Sequence, residues 1–427
     1  MNEYKVSDIF TPSSPANYTF VERDPSINDD LVNSLFTRGK QIILYGETGT
    51  GKTTLLLNKL KQLYENYIIT RCTIDYTFEK LLLDAFDQLN RYYTSEITNA
   101  KGWVISPELR TEFLNLKAEI NNKTNISQQR ILPLQLTLSR LSKFIGEIKA
   151  CWIIEDYHKI QYSERVKLSQ AMKVFMDTSY DYPEVRIIAT GAVDSPRKIL
   201  QHDNELENNR LSEIYIPLMS NDELTQIILK GEELLNIVFD ENIIEIIVSF
   251  ANGLPSFVHQ LCLNMCFNRN ILVTQQEAVR LELSDLEMSL KNYMNTHKDT
   301  LKYQIQKAIG KTKENSINHR KLILQSLSEI DFREYYPKEI KTKIASNKPG
   351  YRNNNLSYYL KDLCSPRRSS ILRYNKELGR YCFSSPILKA YADYNLNNHD
   401  YLAYENPFAD ITQLLIDQVN YFAQQKI

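Results

Sequence analysis

Short apolar runs alternate with longer segments of helical periodicity over the first half of the chain. Runs of this kind are typical of strands that are buried on both faces, and the helical segments between them suit the right-handed crossovers of a parallel sheet. The sequence therefore predicts an α/β domain with a parallel five-stranded sheet. We expect its strands in the run that begins at Gln41 and at 67–76, 151–157, 185–191 and 213–218.

The pattern changes in the last third of the chain, where short helical segments precede two strand-like runs. Three helices followed by a hairpin are the elements of a winged helix. The hairpin would turn between Asn375 and Gly379. The predicted elements are helices at 319–327, 337–345 and 353–364, and two strands within 370–388.

Composition indicates a folded, soluble protein of more than one domain. At 427 residues the chain is too long for one hydrophobic core, which predicts two or three domains. The formal net charge is −1, so no global field attracts the molecule to nucleic acid or to an anionic membrane. The N-terminus lacks a basic stretch before an apolar one, and no run approaches the roughly 20 apolar residues that span a bilayer. These features predict a cytoplasmic location.

The six cysteines are scattered, and several lie in apolar runs where a thiol packs as a small hydrophobic group. We interpret them as reduced core residues. His259, Cys262 and Cys266 share one helical face, which is compatible with a metal site. Because no second cluster supplies the remaining ligands, we favour a buried helix face.

A glycine-rich loop between the first strand and a helical run carries the clearest chemistry. Residues 41–57 read QIILYGETGTGKTTLLL. Glycines let several backbone N–H groups converge on phosphate oxygens, and the following helix adds the positive end of its dipole. Lys52 should contact the β and γ phosphates, and the Thr53 hydroxyl should bind Mg²⁺. The motif predicts a P-loop that binds ATP, or alternatively GTP, through Gly46, Glu47, Thr48, Gly49, Thr50, Gly51, Lys52, Thr53 and Thr54.

Two carboxylates end the third predicted strand, in the run CWIIEDYHKI. In a P-loop enzyme, acids at the carboxyl end of this strand bind Mg²⁺ and polarise the attacking water. We therefore assign Glu155 and Asp156 to the metal site, with Glu155 as the metal-holding acid and Asp156 as the group that polarises water. The usual order of the two acids is reversed. The shorter Asp156 would stand farther from the γ phosphate, which predicts slow hydrolysis and a long-lived ATP state.

Polar residues after the fourth strand complete the predicted catalytic set. Thr190 is the second-last residue of the run VRIIATG, at a position from which a polar side chain contacts the γ phosphate or the lytic water. Arg197 and Arg210 follow on the side from which an arginine finger reaches a neighbouring subunit. Each of these arginines is alternatively a surface residue.

On these motifs, residues 10–395 resemble AAA+ and STAND ATPases of the additional-strand class. The step Gly253-Leu254-Pro255 resembles the glycine-proline signature of STAND proteins and the lids of origin-recognition and transposition ATPases. The resemblance implies that Pro255 lies at the nucleotide cleft. Ser256 stands where many AAA+ proteins have a sensor arginine, which favours a nucleotide switch over a robust motor. His259 would point to the nucleotide, or it would be a core or surface histidine.

The segment TPSSPANYTFVERDPSINDDLVNSL resembles the N-terminal segment that closes over adenine in these ATPases. The resemblance implies that Phe20 to Arg23 contact the nucleotide. Alternatively, Phe20 and Val21 only anchor the segment to the sheet.

The resemblance and the patterns together predict four regions. The stretch at about 77–150 is longer than one crossover helix requires, and we expect this insertion to contact partners or substrate. The last region contains an amphipathic helix after Pro407, whose apolar face holds Ile411, Leu414, Leu415, Val419 and Phe422. The regions are a P-loop ATPase core at 1–218, a helical lid at 219–315, a winged helix at 316–395 and the C-terminal amphipathic helix at 396–427.

The predicted winged helix is locally basic, which leaves two interpretations open. If it binds duplex DNA, Arg367, Arg368, Arg373 and Arg380 neutralise phosphates. STAND proteins instead use the module for packing within the chain, and Tyr358, Tyr359 and Leu360 suit such packing. The basic residues are Arg320, Lys321, Lys338, Lys341, Lys343, Lys348, Arg352, Lys361, Arg367, Arg368, Arg373, Lys376 and Arg380.

The hypothesis that follows is an ATP-driven switch of the AAA+/STAND type that couples nucleotide state to partner or oligomer assembly. The resemblance implies a role in prokaryotic antiviral defence, with effector chemistry on a partner protein. The alternative is a DNA-binding initiator, loader or transposition ATPase. A third possibility is a scaffold in which nucleotide is purely structural.

Overall fold

A computed structural model of the protein divides the chain into two compact units. One unit comprises Phe20–Met219, and the other comprises Met1–Thr19 together with Ser220–Ile427. Arg197 and the helix expected after Pro407 lie outside the described residues. The structure describes residues 3–63, 66–74, 76–93, 105–127, 135–193, 196, 199, 210–311, 317–329, 334–350, 355–375 and 378–397.

The unit Phe20–Met219 is a parallel sheet with helices on both faces, as the sequence predicts. A one-turn helix, α1 (Val6–Ile9), precedes it in the chain. Its elements are α2 (Pro25–Phe36), β1 (Gln41–Gly46), α3 (Lys52–Leu63), β2 (Asn66–Arg71), α4 (Phe78–Tyr93), α5 (Pro107–Ser127), α6 (Leu138–Glu147), β3 (Ala150–Glu155), α7 (Val166–Thr178), β4 (Ile187–Ala192) and β5 (Leu211–Tyr215).

All neighbouring strands of this sheet are parallel, in the order β2-β3-β4-β1-β5. The second strand is shorter than predicted. Among the strands that the structure describes, β2 lies at the sheet edge and pairs with β3, which ends at Glu155. The Cys72 N–H donates to the Glu155 carbonyl at 2.9 Å, where β3 ends. Within the described part of the chain, Thr73, Ile74 and Tyr76 have no strand beside them and therefore do not extend β2.

Alternating strand residues build a separate core on each face of the sheet. Cys151 and Ile153 pack on the face covered by α2 and α3, and Trp152 and Ile154 pack on the opposite face. The predicted insertion supplies helices to this second core. Its buried aromatic rings are in contact with one another: Phe86, Tyr93, Phe113 and Phe144.

The C-terminal unit is mainly helical. Its first part contains a parallel pair of strands, β6 (Ile237–Phe239) and β7 (Val279–Leu281), that the sequence pattern did not predict. Its second part has three helices and an antiparallel hairpin, which is consistent with a winged-helix domain. The elements are α8 (Asn221–Leu235), β6 (Ile237–Phe239), α9 (Glu241–Ala251), α10 (Pro255–Asn268), β7 (Val279–Leu281), α11 (Leu283–Ile309), α12 (His319–Ser328), α13 (Pro337–Asn347), α14 (Leu356–Leu363), β8 (Leu372–Asn375), β9 (Arg380–Phe383) and α15 (Pro386–Asn397).

The N-terminal segment packs within the C-terminal unit, whereas the sequence patterns placed it with the P-loop core. The Val6 N–H donates to the Leu272 carbonyl at 2.9 Å. Phe10 fills a gap at Gly231, where a Cβ atom would lie 2.3 Å from its ring. The Thr11 N–H donates to Nδ1 of His259 at 3.1 Å. No helix of the described segments is long and apolar enough to cross a membrane.

A buried guanidinium closes the end of α2 against β4. Arg186 is 2% exposed, and its Nη1 donates to the carbonyls of Ser34 at 2.7 Å and Thr37 at 3.2 Å. The last carbonyls of a helix have no partner within the helix, and burial removes water as an alternative donor. Arg186 therefore satisfies groups that would otherwise destabilise this end of the sheet.

We predict that Arg186→Met lowers the free energy of unfolding of the Phe20–Met219 unit by about 2–4 kcal/mol, because buried carbonyls lose a charged donor. Tryptophan fluorescence during urea unfolding measures the effect, since the C-terminal unit contains no tryptophan. The control is Arg38→Met, which removes an exposed arginine that donates to the Ser179 carbonyl. Equal losses in the two variants would contradict the role given to Arg186.

Candidate functional site

The strand order brings the P-loop, Glu155 and Thr190 together at the carboxyl edge of the sheet. β4 lies between β1 and β3. Ile154 pairs with Ala189 and Leu44 pairs with Thr190, so Glu155, Thr190 and the loop after β1 lie side by side. Thr190 is 4% exposed. The carboxyl edge of a parallel sheet is where this class of fold binds ligands.

The loop Gly46–Thr54 runs from the end of β1 into the first turn of α3. Gly51 has φ +86°, a conformation that favours glycine. Gly46 lies against the chain that leaves β5, and a Cβ atom there would be 2.3 Å from the Ile216 carbonyl oxygen. These glycines therefore let the backbone turn sharply and pack closely beside the segment after β5.

Two side chains hold the loop from within. Thr50 Oγ1 donates to the Glu47 carbonyl at 3.0 Å. Lys52 Nζ donates to the carbonyls of Gly46 at 3.2 Å and Glu47 at 2.5 Å, so the ammonium group lies across the loop. Burial lowers the pKa of Lys52 to about 8, and the charges of Asp156 and Glu47 oppose this shift. Because this pKa still exceeds 7, Lys52 is mainly a cation at neutral pH.

The Thr53 hydroxyl and the Glu155 carboxylate are in direct contact. Thr53 Oγ1 donates to Oε1 of Glu155 at 2.7 Å. Arg71, at the end of β2, donates through Nε to Oε2 of the same carboxylate at 2.9 Å. The Glu155 carboxylate is thus placed by donors from both α3 and β2. A hydroxyl and a carboxylate in this arrangement are the oxygen ligands that suit Mg²⁺.

Asp156 has a different environment from Glu155. Its backbone is left-handed, with φ +57°, so the chain turns away from the strand direction at this residue. Its carboxylate accepts from Lys159 Nζ at 2.6 Å, in an ion pair whose two side chains are about 44% and 43% exposed. The two adjacent acids therefore have separate partners.

The N-terminal residues predicted to contact nucleotide have structural partners. Phe20 packs against the core under α2 and α3, and Val21 is buried, which fits the anchoring alternative. Arg23 is 4% exposed and donates to the Thr50 carbonyl at 3.2 Å. This contact joins Arg23 to the P-loop backbone, and the guanidinium also donates to the carbonyls of Pro217 and Leu218.

One predicted site residue lies at the opposite edge of the sheet, and another belongs to the other unit. Arg210 is exposed beside the first residue of β5, and its carbonyl accepts from the Gln41 N–H at the amino end of β1. A six-residue strand is roughly 20 Å long, so Arg210 lies too far from its own P-loop to contact the same nucleotide. Pro255 belongs to the C-terminal unit, where it is the first residue of α10 after Gly253, whose φ is +82°.

His259, Cys262 and Cys266 form the buried helix face that the sequence favours. Each is at most 4% exposed, and burial lowers the pKa of His259 to about 4. Across the described ranges, no group of three or more His, Cys, Asp or Glu side chains has a geometry that could hold a metal. The histidine is a neutral core residue that accepts the Thr11 N–H.

Several arginines of the basic C-terminal region bond within their own unit. Arg368 donates to Asp362 at 3.1 Å and to the Lys307 carbonyl at 3.2 Å. Arg373 donates to the Asn252 carbonyl at 2.8 Å, and the Arg380 guanidinium lies over the Tyr336 ring at 4.5 Å from its centroid. These contacts fit the packing interpretation. Arg367 is exposed.

Sequence patterns alone did not identify Arg71 or Lys159 as partners of the two acids. Lys159 follows Asp156 by one helical turn, a spacing that signals a local ion pair. Arg71 has no such local signal, because its contact with Glu155 requires β2 to lie beside β3.

Comparison with known proteins shows the fold. No protein-family model matches the chain, and no curated protein matches its sequence. A Walker-type ATPase of Pyrococcus abyssi is similar in structure, with a TM-score of 0.50 and 14% identity over 90% of this chain and 99% of that chain. The ORC2 protein of Aeropyrum pernix, solved with ADPNP and ADP, has a TM-score of 0.50 and 12% identity over 97% and 98%. The chain therefore has the fold of P-loop ATPases.

We predict that Lys52→Ala removes the thermal stabilisation by MgATP while the protein stays folded, because Lys52 bonds to loop carbonyls and not to the core. At 100 times the dissociation constant, ATP should raise the melting temperature of the unaltered protein by about 5–10 °C. Lys159→Ala is the control, since it removes an exposed lysine from the same sheet edge. A full ATP-dependent shift in Lys52→Ala would disprove the assignment of the phosphate site.

Proposed function

We propose that this protein is a switch ATPase that binds ATP with Mg²⁺, hydrolyses it slowly and couples nucleotide state to partner or oligomer assembly. The contact of Thr53 with Glu155 carries this proposal, because it joins the first turn of α3 to an acid at the end of β3. These are the positions from which a P-loop enzyme holds its metal. Lys52 and the amides of the loop provide the positive groups for the phosphates.

Thr53 and Glu155 would hold the metal, and their oxygen atoms fit a hard cation. When bound, Mg²⁺ neutralises phosphate charge and orients the γ phosphate. Arg71 keeps the Glu155 carboxylate in position by donating to the oxygen that does not contact Thr53. In the proposal, Glu155 is therefore the metal-binding acid.

Asp156 is the proposed water-polarising group, and Thr190 would contact the γ phosphate or the water. Water activation requires the Asp156 carboxylate to leave Lys159. An exposed ion pair is worth at most about 1 kcal/mol, so its opening slows hydrolysis by less than about tenfold. The slow rate in this proposal therefore rests mainly on the shorter reach of aspartate.

An exposed arginine would act on a neighbouring subunit rather than on its own nucleotide. Arg210 suits an action on a neighbouring subunit because it lies at the amino edge of the sheet, opposite its own P-loop. Nucleotide-dependent oligomer assembly would explain an arginine finger at this position. Effector chemistry on a partner protein and a role in prokaryotic antiviral defence are inferred from the resemblance to STAND ATPases.

The alternative function is that of a DNA-binding initiator, loader or transposition ATPase, with the same nucleotide site. It requires cationic side chains that are available to phosphates. Arg368 and Arg373 instead donate to groups in their own unit. We therefore favour intramolecular packing for this part of the chain.

We predict separate phenotypes for the two acids. Glu155→Gln should weaken Mg²⁺-dependent ATP binding by about tenfold or more, because it removes a charge from the metal site. Asp156→Asn should keep ATP binding within about threefold and lower hydrolysis by about 100-fold or more. Calorimetric titration and phosphate release measure the two effects. Equal loss of binding in both variants would show that Asp156 is also a metal ligand, or that neither acid has its proposed role.

We also predict that Arg367→Ala combined with Arg368→Ala lowers the stability of the C-terminal unit by about 1–3 kcal/mol, because Asp362 and the Lys307 carbonyl lose a donor. Labelled duplex DNA should bind no more tightly than about 1 μM at physiological salt. Lys338→Ala with Lys341→Ala is the control of equal charge. Nanomolar DNA binding would favour the initiator or loader function, provided that only the arginine variant lowers the slope of log affinity against log salt concentration.

A further inference from the structure

The chain passes between its two units twice, and one arginine contacts both the P-loop and the segment before the second passage. The first passage lies at Thr19–Phe20 and the second at Met219–Ser220. Arg23 follows the first passage closely, and Pro217 and Leu218 precede the second. All three residues belong to the unit Phe20–Met219.

The Arg23 guanidinium uses its forked geometry to join these segments. Nη1 donates to the Thr50 carbonyl at 3.2 Å. Nη2 donates to the carbonyls of Pro217 at 2.7 Å and Leu218 at 3.1 Å. At 4% exposure the cation is shielded from water, which strengthens its hydrogen bonds. Contacts of this kind to three backbone carbonyls restrict the relative movement of the loop and the segment after β5.

The contact with Thr50 also sets the direction of a phosphate-binding group. The carbonyl of Thr50 and the N–H of Gly51 belong to one peptide plane and point in opposite directions. A donor that holds the carbonyl on one side therefore holds the Gly51 N–H on the other. Gly51 comes directly before Lys52 in the loop, and amides of this loop are the groups that converge on phosphate.

We propose that Arg23 is a positioning residue, which directs the Gly51 N–H at the nucleotide phosphates and ties that direction to Pro217 and Leu218. It thus acts through the backbone and does not contact the base. The inference rests on the proposed function, because it requires a nucleotide in the P-loop. Phosphate binding would then be transmitted through one side chain to the segment that precedes the second passage.

An arginine is required because two parts of the chain must be held together. The guanidinium presents five N–H donors in a planar fork, whereas an ammonium group is a compact point charge. The side chain in Arg23→Lys has one nitrogen. It cannot donate at the same time to the Thr50 carbonyl and to the carbonyls of Pro217 and Leu218. Arg23→Lys therefore keeps the charge and removes the link, and Arg23→Met removes both.

Amide hydrogen exchange tests the link in the unaltered protein first. Saturating MgATP should slow exchange by about tenfold or more at the loop amides of Thr48 to Gly51 and at the amides of Leu218 and Met219. If neither region responds, both the proposed function and this inference are wrong. If the loop responds and the amides of Leu218 and Met219 do not, only this inference is wrong.

The variants then separate the two roles of Arg23. In Arg23→Lys, MgATP should still protect the loop amides, and protection of Leu218 and Met219 should fall to less than about twofold. Arg23→Met should weaken MgATP binding by about tenfold or more. Arg186→Met is the matched control, since it removes a buried arginine that also donates to backbone carbonyls but does not contact the loop.

Two results would overturn the positioning role. One is wild-type protection of Leu218 and Met219 in Arg23→Lys. The other is an equal loss of that protection in Arg186→Met, which would show that general destabilisation is sufficient. If Arg23→Met does not fold, the lysine variant and the exchange pattern of the unaltered protein still decide the question, because neither removes the buried charge.

Discussion

A buried carboxylate needs donors on both of its oxygens, and Glu155 obtains them from two different elements. Thr53 donates from the first turn of α3, and Arg71 donates from the end of β2. The contact with Thr53 connects the loop after β1 to β3 across the intervening β4. The metal-binding geometry that we propose depends on the Glu155 side chain, because its carboxylate contacts the Thr53 hydroxyl, which is distant in the sequence.

Backbone carbonyls impose the second constraint on the P-loop unit. A carbonyl at the end of a helix or in a tight loop must find a donor when water is excluded. Arg186 serves this purpose at the end of α2, and Arg23 serves it at the P-loop. Both guanidinium groups are at most 4% exposed. Arg186 stabilises the end of α2. Arg23 lies where a change in the P-loop would alter its hydrogen bonds.

The C-terminal unit uses its positive charges in the same way. Arg368 donates to Asp362 and to the Lys307 carbonyl, and Arg373 donates to Asn252, which ends α9. Asn252 and Gly253 both have positive φ, just before the helix that begins at Pro255. The hairpin of the C-terminal unit is therefore bonded to the glycine-proline step of the same unit. Arg368 and Arg373 are thus engaged in contacts within their own unit.

The sequence by itself determined the features whose physical cause is local. Strands and helices follow from apolar periodicity, and the P-loop follows from glycines, Lys52 and Thr53 within one short segment. Only the tertiary structure decided which distant groups meet. The contact of Arg71 with Glu155 required the strand order, and the place of residues 1–19 in the C-terminal unit required the packing of Phe10 at Gly231. The backbone partners of Arg23 likewise depended on tertiary structure, because a side chain's hydrogen bonds depend on the carbonyls that folding brings to it.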